Sequence, residues 1–169
     1  MFEQMVIEQG GLAKRCPILE DIYEKILEEV KKAVAVSDMV IINAGSSAGR
    51  DDYTVHVLRE LGEVLIHGVA IKPGKPVILA IVDKKPVIGL PGYPVSAYIA
   101  FENFVSPVLA MMGQLPVKTD YEVPAVVSRR LVSSLKHKEY VRIKAGVVGG
   151  RMVAAPLARG AGAAMSLVR

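Results

Sequence analysis

The chain has 169 residues, 51% hydrophobic and 22% charged, with a net charge of +4. That balance supports one domain, or one medium domain with a small appendage, and excludes a chain too polar to build a core. The positive charge is dispersed, with no run of five Lys or Arg, no tryptophan and only three phenylalanines to stack on bases. A nucleic-acid surface is therefore a poor fit, and a pocket for a small anionic molecule a better one.

The N-terminal stretch MFEQMVIEQGG carries Glu3 and Glu8 and no basic region, so it does not read as a signal peptide. No uninterrupted apolar run approaches the roughly 18 residues of a membrane span, and no membrane partner is expected. Cys16 is the lone cysteine, which excludes an internal disulfide and favours the cytoplasm. Residues 19–37 read as a helix, with Ile22, Ile26, Val30 and Ala33 on one face and Glu28 placed one turn before Lys32. Asp21 lies at its start, where a carboxylate can cap exposed N–H groups. MVIINAG, residues 39–45, reads as a short strand that is uncharged on both faces, which suits a parallel strand covered by helices.

A loop, GSSAGRDD, separates this strand from a helix over residues 53–61, ended by Gly62 as a C′ glycine. EVLIHGVAI (63–71) and VILAIV (77–82) read as strands joined by the stiff turn KPGKP, and a tight DKK turn leads to the strand PVIGL (86–90). Residues 95–112 form a long helix with Tyr98, Phe101, Phe104, Val105, Val108 and Met112 toward the core. Pro107 either kinks it or starts a second short helix. After Gly113 the character changes to a linker, QLPVKTD, and then to the short β segments 121–134, 139–148 and 151–157, with Gly149-Gly150 as a hairpin turn.

Three loops have positions that could carry chemistry, because ligands of open parallel sheets bind beyond the carboxyl ends of the strands. In the first, Gly45, Ser46, Ser47, Ala48 and Gly49 either let backbone N–H groups approach an anion at a helix N-terminus or form an ordinary βα loop. Asp51 and Asp52, just behind it, are suited to capping the next helix or to binding a hydrated Mg²⁺, and both hold if one caps and the other binds. In the second, Lys72 and Lys75 project from a frame stiffened by Pro73 and Pro76. They are either solvated turn residues or a preorganised oxyanion site. In the third, Pro91 and Pro94 freeze the connection between a strand and a helix, Gly92 lets a ligand approach the backbone, and Ser96 stands near the helix start. A cheaper Gly or Asn turn would connect the same elements but would move, so the rigid loop reads as the wall of a site.

Taken together and in this order, these stretches resemble the MoeA/gephyrin family of molybdopterin molybdotransferases. The family pattern has a Ser-Gly-Gly-x-Ser-x-Gly loop, an aspartate followed by Tyr or Phe, then HGVAxKPGKP and GLPGNPVSA. Here KPGKP is intact, Tyr93 replaces the usual Asn of GLPGNPVSA, and Ala44 replaces the first glycine of the loop. The match runs from Ile18 to Gly113; beyond it, Glu139-Tyr140-Val141-Arg142 and the stretch from Gly160 through Ser166 resemble the family's C-terminal β domain.

The resemblance implies a three-layer α/β molybdopterin-binding domain with a mostly parallel sheet over residues 1–113, and part of a small all-β domain over 114–169. Family members carry two further domains ahead of this one and a first strand with a Thr-Gly-Asp/Ser-Glu-Leu motif. The expectation is therefore a C-terminal fragment lacking that strand and poorly active alone. The implied reaction inserts molybdate into the dithiolene of adenylylated molybdopterin and releases AMP, assisted by Mg²⁺, in a homodimer. By motif match Asp52 takes the place of the loop aspartate and Asp21 that of another acidic site residue. Lys72 and Lys75 supply fixed cations, and Arg142 and Ser166 contribute from the β domain. Two alternatives remain: a molybdopterin adenylyltransferase-like enzyme, which GRDD fits, and a non-catalytic pterin-binding or scaffold module.

Overall fold

The computed structural model describes residues 1–43, 53–116, 121–133 and 135–157. The N-terminal stretch forms a short helix, α1 (Phe2–Glu8), followed by α2 (Tyr23–Val36), strand β1 (Val40–Asn43) and α3 (Tyr53–Leu61). Then come β2 (Glu63–His67), β3 (Ile71–Lys72), β4 (Ile78–Val82) and β5 (Lys85–Leu90). One continuous helical stretch follows: α4 (Pro94–Ala100), a π-helical turn (Phe101–Val105) and α5 (Ser106–Met112). The remaining strands are β6 (Val126–Val127), β7 (Lys138–Glu139), β8 (Ile143–Val148) and β9 (Arg151–Pro156).

The main sheet has the order β1-β5-β4-β2. β1 pairs parallel with β5, whereas β5–β4 and β4–β2 are antiparallel. The α/β class stands, but the sheet among the described residues is mixed, because two hairpins build its far side. The β4–β5 hairpin turns through Asp83 and Lys84, both at positive φ (49° and 64°), which twists a two-residue turn with the strands.

Alternation along the strands sends side chains to opposite faces and builds two cores. Val40, Ala80, Val82 and Val87 face α2 and α3, where they meet Val30, Val34, Val55 and Leu58. Ile41, Leu79, Ile88 and Leu90 face the other way, onto Ala100, Phe101 and Val105. α1 closes this second layer: Phe2 stacks on Phe101 with ring centroids 5.5 Å apart, and Gln9 Nε2 donates to Ser106 Oγ at 2.9 Å. Lys85 Nζ donates to the Val34 carbonyl at 2.6 Å and satisfies one of the last acceptors of α2.

Several sequence expectations change. Asp21 does not cap α2: the N-cap is Ile22, with no side-chain capping bond. Gly62 is not a left-handed C′ glycine. Its place is fixed by space, since a Cβ there would lie 2.1 Å from the Ile81 carbonyl oxygen. The expected strand 63–71 breaks at Gly68 (φ +85°), and its end becomes β3, which pairs with β7. Met112 is exposed rather than in the core. Pro94–Met112 is a 19-residue helical stretch long and apolar enough to cross a membrane by length and composition. In this fold, however, its Phe101 and Val105 are fully buried against the sheet.

Pro107 does start a second helical segment. It cannot donate a backbone hydrogen bond, and the chain widens just ahead of it into a π turn in which the Ser106 N–H reaches the Phe101 carbonyl. The C-terminal strands form a three-stranded sheet of order β6-β9-β8, whose β8–β9 hairpin turns at Gly149 and Gly150, both at positive φ as expected.

Candidate functional site

Register decides which loops share an end of the sheet. β1 and β5 run parallel with Asn43 beside Leu90, so the chain leaves both strands at the same edge. β4 runs the other way with Ile78 beside Gly89, so the loop that enters it, residues 68–77, stands at that edge too. The two described candidate loops therefore open from the end of the sheet at which β1 also ends. Residues 44–52 lie outside the described residues, and with them Gly45, Ser46, Ser47, Gly49, Asp51 and Asp52. Ser166 lies outside them as well.

The Lys72–Lys75 loop is not a simple hairpin turn. It belongs to a ten-residue connection between β2 and β4, closed by bonds from the Gly68 N–H to the Val77 carbonyl (2.8 Å) and from the Val69 N–H to the Lys75 carbonyl (2.9 Å). The Lys72–Pro73 peptide is cis. Gly74 is buried at φ +109°, a conformation that side chains resist. A Cβ there would meet Ile71 Cδ1 at 3.0 Å and the Ser96 carbonyl oxygen at 3.4 Å. That approach seats the lysine loop on the start of α4 while both lysines remain exposed.

The proline-flanked loop divides its labour. Pro91 is fully buried and anchors the loop, whereas Gly92 is exposed and a Cβ on it would meet nothing within 4 Å. Tyr93, 66% exposed, is the N-cap of α4 without a side-chain capping bond, and Pro94 occupies the helix start, where its missing N–H costs nothing. Ser96 is buried in the first turn. The loop thus presents an exposed surface at Gly92 and Tyr93.

The C-terminal segment reaches the same region. β7 adds to β3 in parallel, with Lys72 in register with Glu139. The Lys138 N–H donates to the Ala70 carbonyl and the Tyr140 N–H to the Lys72 carbonyl, each at 2.8 Å. Tyr140 Oη donates to Asn103 Oδ1 at 2.5 Å, and Asn103 Nδ2 donates to the Ile99 carbonyl at 2.7 Å. Arg142, half-buried, follows two residues later. Asp21 is exposed two residues ahead of Tyr23, whose ring meets that of Tyr53 edge-on at 6.2 Å, at the start of α3.

Sequence reasoning did not find Asn103. Its one available signal was an amide in an apolar helix four residues before a proline.

Among the described residues, no group of three His, Cys, Asp or Glu side chains converges to hold a metal. Partial burial and then Glu29 push the Cys16 thiol up. A hydrogen bond to Glu60 raises the Tyr23 phenol. Lys32 holds the Glu28 carboxyl down and is itself held up in return.

A family model described as a probable molybdopterin binding domain matches residues 1–111. A molybdopterin biosynthesis protein of Methanocaldococcus jannaschii is 35% identical over 149 residues, covering 87% of this chain and 35% of that protein. The molybdopterin molybdenumtransferase of Haemophilus influenzae is 34% identical over 111 residues, covering 65% of this chain and 28% of that enzyme. Among solved structures, the molybdopterin biosynthesis MoeA protein of Pyrococcus horikoshii superposes with a TM-score of 0.77 at 32% identity, over 99% of this chain and 40% of that one. The chain thus spans about a third of the length of the relatives it matches.

Proposed function

Because the chain belongs to the molybdopterin-binding-domain family, we propose that it serves molybdenum cofactor biosynthesis, in the step that inserts molybdate into adenylylated molybdopterin and releases AMP. The observation that carries this reading is the seating of the Lys72–Lys75 loop against Ser96, at the edge where the parallel strands β1 and β5 end. A dianionic oxyanion needs fixed cations, and a loop tied down by its own backbone bonds loses little conformational freedom when it binds one. In this reading the pterin lies beside it, over Gly92, where a Cβ would meet nothing within 4 Å.

In this reading Gly45, Ser46, Ser47 and Gly49 hold the phosphate-bearing end of the substrate with backbone N–H groups, and Asp21 adds an acidic group nearby. Asp51 and Asp52 would hold a hydrated Mg²⁺, which neutralises charge on phosphate oxygens. Pro91 and Pro94 keep the wall rigid, Ser96 supports it, and Arg142 and Ser166 contribute from residues 114–169, taken as part of a separate β domain. A homodimer in the cytoplasm completes the proposal; the lone cysteine of the sequence suits that compartment.

Calorimetry with inorganic molybdate tests the reading. Losing one charge-assisted hydrogen bond costs about 1.5–3 kcal/mol, so Lys72→Ala and Lys75→Ala should each weaken binding about ten- to a hundredfold. Arginine at position 72 should not fully restore affinity, since its planar fork differs from a compact ammonium. Wild-type affinity in both alanine variants would make the lysines solvated turn residues. AMP release from adenylylated molybdopterin in the presence of molybdate separates the transferase from an adenylyltransferase-like enzyme and from a binding module.

A further inference from the structure

Tyr140 occupies a position that the reaction scheme does not use. Its N–H donates to the Lys72 carbonyl, its Oη donates to Asn103 Oδ1, and its ring lies 5.1 Å from Lys138 Nζ. Lys72 begins the lysine loop. Asn103 lies in the π turn of the helical stretch whose first turn, through the Ser96 carbonyl, receives Gly74 of that same loop. The loop is thus held to one helix at two points, directly at Gly74 and through Tyr140 at Lys72.

The second attachment lies in the π turn. With the turn widened, Asn103 reaches back to the Ile99 carbonyl with Nδ2 and is left with Oδ1 to accept from Tyr140. An amide fixed at both ends is a rigid acceptor, and π turns recur where a helix serves a site. The backbone bond from Tyr140 to Lys72 belongs to the two-residue β3–β7 ladder, which is too short to fix an orientation alone.

We infer that Tyr140 is a positioning residue: through Asn103 it locks β7 onto β3 and sets the direction in which Lys72 presents its ammonium to the oxyanion. The inference rests on the molybdate reading above for its ligand, and on the hydrogen bonds alone for its mechanics. Charge-assisted contacts weaken steeply with misalignment, so a backbone released at the Lys72 carbonyl should lower affinity without touching the charge.

The test uses the full chain with Tyr140→Phe, which keeps the ring and removes the hydroxyl, and Asn103→Leu, which removes the acceptor from the other side. Two measurements are made: affinity for inorganic molybdate by calorimetry, and hydrogen exchange at the Lys138 and Tyr140 amides. Each variant should weaken molybdate binding about three- to tenfold, the scale of one neutral hydrogen bond, and both amides should exchange faster. The double variant should be no worse than Asn103→Leu alone, because that change already removes the bond to Tyr140. In a Lys72→Ala background, Tyr140→Phe should cost nothing further, which a loss of general stability would not reproduce. Unchanged exchange at both amides in Tyr140→Phe overturns the clip. Faster exchange with unchanged molybdate affinity, in a protein where Lys72→Ala does weaken binding, overturns the positioning role. If Lys72→Ala itself leaves affinity unchanged, the molybdate reading fails and takes the ligand half of this inference with it, while the exchange data still decide the mechanics.

Discussion

The four-stranded sheet is covered by helices on both faces, and Val87, Leu90, Phe101 and Val105 are wholly buried. In the three-stranded sheet β8 is exposed along its whole length, and Ala154 and Pro156 are the only buried residues among those described after 113. Both regions have hydrogen-bonded strands of similar length, so backbone pairing does not separate them; apolar burial does. Stability should therefore belong to the α/β body, while the β region contributes through what it touches, the backbone of the lysine loop and Asn103.

Hydrogen exchange should show the largest contrast. Amides of β4 and β5 should open only with global unfolding, about 5–15 kcal/mol for a domain, whereas those of β8 and β9 should exchange orders of magnitude faster through local opening. Equal protection in the two sheets would break the comparison. Side-chain truncation comes next. Phe101→Ala should cost about 3–5 kcal/mol in denaturant unfolding, while Val148→Ala, 67% exposed, should stay within about 0.5 kcal/mol. Glycines give a third pair. Gly62→Ala forces a methyl onto the Ile81 carbonyl and should cost about 1–3 kcal/mol; Gly146→Ala in β8 meets nothing within 4 Å and should be silent in the same melt. The smallest effect runs the other way. Tyr93→Asn gives α4 a capping side chain where it now has none and should stabilise the body by about 1 kcal/mol.

What the sequence disclosed follows the same division. The sequence shows α3 at its observed bounds because its apolar spacing marks the helix, and β4 and β5 within one residue of theirs because β-branched runs flank a tight turn. α1 escaped notice because seven residues make a weak helix alone; Phe2, Met5 and Val6 become informative only against Phe101. Asp21 looked like a cap by type, but Ile22 took the place. Gly62 reads as necessary for the wrong reason, since its constraint comes from Ile81, in a strand nineteen residues away. The lysine and proline loops stand out in the sequence by their paired prolines. Their meeting at Gly74 and Ser96 was not, and neither was the pairing of β3 with β7, because both depend on register between distant segments.

That last pairing bears on the order in which the molecule assembles. Ile71 and Lys138 are 138 − 71 = 67 positions apart, whereas the β4–β5 hairpin closes across two residues. Closing a longer loop costs more chain entropy, about 0.6 kcal/mol for each doubling of its length, and a two-residue ladder returns little against it. Refolding should therefore form the hairpin and its covering helices early, with β7 arriving after the lysine loop has taken shape. In a stopped-flow experiment followed by pulsed exchange, the Tyr140 amide should gain protection later than those of β5.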